Sequence, residues 1–212
     1  MRRWRKLLLD AVSPFDSGVR SLRINGQPPG DLDYRRPRRT AAVLVPILDR
    51  DEPELVLTRR AEHLPHHPGQ VAFPGGAAEQ DDVSAVQTAL REANEEIGLP
   101  LDAALPIGFL DRMDTVSDYR VLPVVAMVRP TVDWLIDERE VAEVFTVPAS
   151  IVFDRANYEP GIFERDGQKH RVWTLHWDGY EIWGVTAAML MNLVNRLENV
   201  RDRKDPAVRR TA

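Results

Sequence analysis

The amino-acid sequence predicts an α/β or α+β protein in which a mixed sheet lies between helices, in one domain. Strand-like and helix-like stretches are interleaved along the 212 residues rather than sorted into separate blocks. A hydrophobic content of 43% beside 29% charged residues is an ordinary globular balance, in a chain long enough to bury a core. No internal repeat and no linker divides it.

Residues 1–38 read as an N-terminal extension: a short amphipathic helix, then a loop carrying Pro28, Pro29, Gly30 and Pro37. The main domain spans 39–200. It opens with strands at 41–48 and 54–58 around a turn at 49–53. A loop with His63, His66 and His67 leads to a short strand at 70–73, which ends in Pro74, Gly75 and Gly76. Residues 84–97 are helical: Ser84 with Gln87 three positions on begins a capping box, and Gly98 followed by Pro100 terminates. Strands follow at 105–110, 119–128, 145–147 and 171–177, then a second long helix at 185–197. The tail 201–212 is charged and expected to fray.

Composition excludes several classes. There is no cysteine, hence no disulfide, thiolate nucleophile or thiolate metal site, which is compatible with a cytoplasmic, reducing location. No apolar run approaches the ~20 residues of a membrane span. The start imitates a signal peptide, but its apolar stretch is only residues 7–9 and is broken by Asp10. A net charge of −5 argues against generic nucleic-acid binding. Two basic clusters stand against that charge: Arg2, Arg3, Arg5 and Lys6, and then Arg35, Arg36, Arg38 and Arg39. They read as solvated charge flanking structured elements, or as a phosphate or RNA contact.

The chemistry lies on the first long helix of the main domain. At roughly 100° per residue, Val86, Leu90, Ala93 and Ile97 share one side, and Glu92, Glu95 and Glu96 share another. Like charges at these spacings destabilise an isolated helix by tenths of a kcal/mol per pair. A hard divalent cation relieves that repulsion. Magnesium prefers oxygen ligands and is usually held by one or two carboxylates plus substrate phosphates, with manganese the alternative. Such an ion draws charge from phosphoryl oxygens and helps form hydroxide from bound water. Gly75 and Gly76, lacking a Cβ, let backbone approach the metal or phosphate. Taken alone, a Glu-x-x-Glu-Glu helix also reads as a solvated face balanced by Lys or Arg.

The longer string is more specific. Arg91-Glu-Ala-Asn-Glu-Glu-Ile-Gly-Leu99 resembles the Nudix signature R-E-U-x-E-E-x-G-U at every fixed position, with U aliphatic, and the resemblance extends upstream to Gly76. One feature departs. The general pattern asks for Gly, five residues, Glu, seven residues and Arg; here five residues lead to Asp82 and eight separate it from Arg91. The loop is one residue longer and carries Asp in place of Glu, which leaves the role of Asp82 unassigned. Upstream, Arg60, Leu64 and the string His67-Pro-Gly69-Gln70-Val-Ala-Phe73-Pro-Gly75-Gly76 are similar to the extended motif of the coenzyme A pyrophosphatase branch, as is the longer loop with Asp. The resemblance covers about residues 40–190.

This resemblance implies the Nudix fold, an α/β/α sandwich with a mixed sheet, whose active cleft is lined by residues 75–99. It implies a hydrolase that uses Mg²⁺ or Mn²⁺ to cut a diphosphate linkage in a small-molecule nucleoside diphosphate. Coenzyme A is the expected substrate, giving 4′-phosphopantetheine and adenosine 3′,5′-bisphosphate. Glu92, Glu95, Glu96 and Gly76 become the expected metal site, and Arg91 orients the glutamates by ion pairing. A further carboxylate from residues 137–143, with Glu140 the candidate, joins Arg91, Glu92 and Glu95 in the catalytic set. The family places its general base on the helix or on a distant loop, and that choice stays open. Arg60, His67, Gln70 and Gly75 are the expected substrate contacts.

Other readings remain beside these. The substrate is alternatively ADP-ribose or another nucleoside diphosphate derivative, or the chain is a non-catalytic nucleotide- or RNA-binding relative. Arg60 is alternatively a surface ion-pair partner of Glu62 or Glu54. The three histidines suggest zinc but lack a fourth soft ligand. Trp173, Trp177, Tyr180 and Trp183 stack an adenine or fill a core. A homodimer is compatible with all of this.

Overall fold

In the computed structural model, residues 2–15, 39–115, 118–165 and 168–204 are described. Most of the expected loop up to 38, with Arg35, Arg36 and Arg38, and the tail from 205 lie outside the described residues. The chain order is α1 (Arg3–Ala11), β1 (Arg39–Leu48), β2 (Glu54–Arg60), β3 (Val71–Ala72), β4 (Gly75–Ala77) and α2 (Ala85–Ile97). Then come β5 (Ala104–Phe109), β6 (Met113–Asp114), β7 (Tyr119–Val128), β8 (Val141–Pro148) and α3 (Ala149–Val152). The chain continues through β9 (Tyr158–Arg165), β10 (Gln168–Trp177), β11 (Tyr180–Trp183) and α4 (Gly184–Lys204).

The two longest apolar runs pair with each other. β1 and β7 run parallel, from Arg39 opposite Tyr119 to Leu48 opposite Val128. All other pairings are antiparallel, so the sheet is mixed, as predicted. Its order is β3-β2-β1-β7-β5, with β4 on β1, β6 on β7 and β8 on β2. A second, antiparallel sheet has the order β11-β10-β9.

Alternation along these strands builds a core on each face. Ala42, Leu44, Val56, Val124, Ala126 and Val128 pack with Ala89, Ala93 and Ile97 of α2. Val45, Ile47, Leu55, Leu57, Val121 and Val125 pack instead with Leu190, Leu193 and Leu197 of α4, joined by Leu8 of α1. Helices thus cover both faces, which gives the α/β/α sandwich.

The N-terminal helix is tied to this body. Leu8 and Ala11 are buried, Arg2 pairs with Asp51, and Arg5 pairs with Asp49 of the β1–β2 turn. Two members of the first basic cluster are therefore answered by carboxylates of the turn.

Several elements differ from the sequence expectation. Gly75 and Gly76 do not merely end a strand; they form β4, with Gly76 opposite Ala42. β6, β9 and β11 are additional, and β8 extends well beyond 145–147. β9 contains Pro160 and Gly161, which mask a strand in sequence but are tolerated at the sheet edge it occupies. α4 continues to Lys204, four residues into the tail expected to fray. Burial of Val200 and an ion pair of Lys204 with Asp10 hold that last turn. Trp173, Trp177 and Tyr180 pack against the α4-side core, and Tyr180 stacks on Phe145 with ring centroids 3.8 Å apart.

Candidate active site

Small side chains decide where α2 lies. Ala89 and Ala93 are fully buried, and with no side chain beyond Cβ they let the helix lie close to β1. The Ser84 hydroxyl accepts from the Gln87 N–H at 3.2 Å, while the Gln87 side chain accepts from the Val83 N–H at 2.9 Å. Gly98, at φ 66°, closes the other end in the left-handed conformation.

That placement brings Glu92 and Glu96 against β4. The Gly75 N–H donates to Glu96 Oε2 at 3.2 Å. A Cβ on Gly76 would stand 2.6 Å from the Glu92 carboxyl carbon. A Cβ on Gly75, whose φ is 155°, would stand 2.5 Å from the Ala42 carbonyl oxygen. One glycine therefore makes room for the sheet and the other for a carboxylate of α2.

Glu96 is 6% exposed. Burial pushes its carboxyl up to about 8, opposed by the Gly75 N–H and reinforced by the charges of Glu92 and Glu140. Burial likewise raises Glu92, against the lowering effect of Arg91. Two desolvated carboxylates side by side call for a proton or a cation. As hard oxygen donors they fit Mg²⁺ or Mn²⁺. Among the described residues no three His, Cys, Asp or Glu side chains form a ready-made cage. Magnesium does not require one, since substrate phosphates and waters supply its remaining ligands.

Arg91 sits at the centre of a hydrogen-bond network. It donates from Nε to Asp82 Oδ1 at 3.2 Å, from Nη2 to Asp82 Oδ2 at 3.0 Å, and from Nη2 to the Ala77 carbonyl at 3.1 Å. Its Nη2 is also 3.0 Å from Glu92 Oε1, and Nη1 donates to Glu95 Oε2 at 2.8 Å. Glu95 is thus engaged by Arg91 on the exposed side of the helix, whereas Glu92 and Glu96 turn inward. Asp82 is the residue that sequence reasoning left without a role. Its side chain is 4% exposed, and the Arg91 hydrogen bonds, then the Glu79 N–H, pull its carboxyl down to about 2.

The turn before β8 faces the same carboxylates. The Asp137 N–H donates to the Glu96 carbonyl at 3.0 Å, and the Ala61 N–H donates to the Glu140 carbonyl at 2.9 Å. Glu140 is exposed, and its charge is felt by both Glu92 and Glu96. Arg60 lowers Glu96 through its positive charge. The alternative partners of Arg60 are otherwise engaged: Glu62 with Arg59 at 3.0 Å, and Glu54 with Arg50.

His67 and Gln70 lie on the loop that enters β3. His67 has a left-handed φ of 57°, and its carbonyl accepts from the Gln70 N–H at 3.3 Å. The Gln70 amide nitrogen is 3.7 Å from where a Cβ on Gly184 would lie, at the start of α4. His63 shares a hydrogen bond of 3.1 Å with the Arg139 carbonyl, which ties this loop to the Glu140 turn.

Comparison with known proteins gives the family of the chain. A model of the NUDIX domain matches residues 37–164. The chain is 44% identical over 156 residues to the Nudix hydrolase NudL of Enterobacter sp. (strain 638), covering 74% of this chain and 81% of that one. The same figures hold for NudL of Salmonella newport (strain SL254). Among solved structures, the MutT protein from Methanosarcina mazei Go1 superposes with a TM-score of 0.51 at 17% identity, over 81% of this chain and 99% of that chain. The chain belongs to the Nudix hydrolases. It is accordingly an enzyme that hydrolyses a pyrophosphate linkage, in a family that acts on small-molecule nucleoside diphosphates and generally uses divalent metal ions. Among the described residues no helix is long and apolar enough to cross a membrane.

Proposed function

We propose that this enzyme hydrolyses the diphosphate of coenzyme A with Mg²⁺ or Mn²⁺, releasing 4′-phosphopantetheine and adenosine 3′,5′-bisphosphate. The supporting observation is the pairing of a carboxylate cluster, Glu92 and Glu96, with the Gly75–Gly76 segment of β4 that ends the His67-to-Gly76 string. That string resembles the branch acting on coenzyme A, and it delivers Gln70 and both glycines from one continuous loop and strand.

Glu92 and Glu96 are the residues that would hold the cation, beside backbone at Gly76. When bound, the cation supplies positive charge to the phosphoryl oxygens as negative charge builds there. Arg91 orients Glu92 and holds Glu95. A water oxygen adds to one phosphorus and the anhydride P–O bond breaks. The water proton passes to a carboxylate, which we assign to Glu140, exposed on the turn before β8. The severed oxygen leaves as the second phosphate monoester. Arg60 brings positive charge to a substrate that is itself a polyanion, which a protein of net charge −5 must attract locally.

The test compares coenzyme A with 3′-dephospho-coenzyme A, ADP-ribose and NADH at equal Mg²⁺. Coenzyme A should have the highest kcat/KM, and loss of the 3′-phosphate should weaken transition-state binding by ~1–3 kcal/mol if one charge-assisted contact goes. Higher kcat/KM for ADP-ribose or NADH overturns the substrate and leaves the pyrophosphate chemistry standing.

A further inference from the structure

We infer that Asp82, locked by Thr88, is a positioning residue that limits the Arg91 guanidinium to a single contact with Glu92 and so keeps it from taking both oxygens of that carboxylate. The inference rests on the reading that Glu92 holds the cation. The observations lie in the loop that departs from the general signature. Asp82 is one methylene shorter than the Glu of that pattern, and its loop is one residue longer. The loop turns back on itself, with the Asp82 N–H donating to the Glu79 carbonyl at 3.2 Å and the Glu79 N–H donating to Asp82 Oδ2 at 2.9 Å. The Thr88 hydroxyl, from a residue with no exposed surface, donates to the same Oδ2 at 3.0 Å.

Both oxygens of Asp82 are therefore committed, and four donors fix them. Arg91 spends Nε and one bond of Nη2 on this carboxylate, a second bond of Nη2 on the Ala77 carbonyl, and Nη1 on Glu95. Nη2 also reaches Glu92 Oε1 at 3.0 Å, so Glu92 receives one contact from the guanidinium while Asp82 receives two bonds. A guanidinium pairs best with a carboxylate through two parallel bonds, and Asp82 takes that mode. Released from Asp82, Arg91 can extend its single contact with Glu92 to both oxygens, and an arginine paired in that way competes with a cation for the same carboxylate. Residues behind a metal ligand commonly set affinity by 10- to 100-fold.

The experiment titrates Mn²⁺ into the substrate-free, full-length protein by electron paramagnetic resonance, alongside kcat and KM at limiting and at saturating Mg²⁺. Asp82→Asn should weaken Mn²⁺ half-saturation by about 10- to 100-fold. Asp82→Glu keeps the charge but needs room where 4% of the side chain is exposed, so it too should lose affinity. Thr88→Val keeps shape and charge and should show a smaller loss in the same direction. It carries the test if Asp82→Asn fails to fold. In each variant kcat at limiting metal should fall more than KM rises. Wild-type Mn²⁺ binding in Asp82→Glu and Thr88→Val would overturn the inference, because only charge would then matter. A wild-type protein that binds no Mn²⁺ would instead overturn the reading of Glu92 itself, and this inference with it.

Discussion

Gly76 and Glu92 occupy one another's space: a Cβ on the glycine would lie 2.6 Å from the carboxyl carbon of the glutamate. Gly76 is opposite Ala42 in the sheet and has no positive φ, so its backbone tolerates alanine. The collision falls on the far end of a flexible side chain. Gly76→Ala should therefore fold normally and push Glu92 away from β4. We expect kcat/KM to fall by at least about tenfold, equivalent to about 1.4 kcal/mol of transition-state binding. Circular dichroism and a thermal melt should match wild type. A folded variant with the wild-type rate would mean that Glu92 takes no part in the reaction.

Glu96 makes the stability of the cation-free protein depend on pH in an unusual direction. Its folded-state value, near 8, lies above the ordinary 4.5, so the native protein keeps a proton that the unfolded chain releases. Stability is then full below about 4.5 and is lost as pH rises toward 8, by at most about 5 kcal/mol at 1.4 kcal/mol per pH unit. Thermal melts in chelator between pH 5 and 8 should show this decline, and Glu96→Gln should remove most of it. Adding Mg²⁺ at pH 8 should raise the melting temperature of wild type more than that of Glu96→Gln. Parallel pH profiles for the two proteins would contradict the burial argument.

Asp111 supports a different expectation, one confined to stability. It accepts from Arg196 Nη2 at 2.6 Å and from Asn192 Nδ2 at 2.8 Å, and Arg196 also donates to the Ala11 carbonyl at 2.9 Å. The cluster joins α1, the end of β5 and α4. Removing one carboxylate leaves a largely buried arginine without its main partner. Asp111→Ala should cost roughly 2–4 kcal/mol in urea denaturation. Activity per folded molecule should hold. A loss below about 0.5 kcal/mol would show that water replaces the carboxylate at little cost.

The sequence carried the parts of this molecule that obey local periodicity. β1, β7 and α2 were legible because Ala41–Leu48-type apolar runs and the 84–97 helix repeat at fixed spacing, and Glu92 and Glu96 share a face for the same reason. The glycine strand β4 was not legible, because glycine is depleted in strands and carries no side chain to show alternation, although the backbone pairs with β1. Arg59 and Arg60 look alike in sequence, yet strand alternation sends the first to Glu62 and sets the second near Glu96. Asp82 was hidden because its donors come from Glu79, Thr88 and Arg91, a set that no single spacing announces. The only trace was the loop that ran one residue long.

The most direct test of the account is a product analysis with coenzyme A. Wild type and Glu92→Gln are incubated with coenzyme A in Mg²⁺ or in chelator, and the products are separated and weighed by mass spectrometry. The amide keeps the size of Glu92 but removes its charge, so the cation should be lost while the fold stays. Wild type with Mg²⁺ should yield 4′-phosphopantetheine and adenosine 3′,5′-bisphosphate in equal amounts. Chelator should abolish both, and Glu92→Gln should slow their release by about two orders of magnitude or more. Intact coenzyme A after incubation of wild type with Mg²⁺, or equal product from Glu92→Gln, would contradict it.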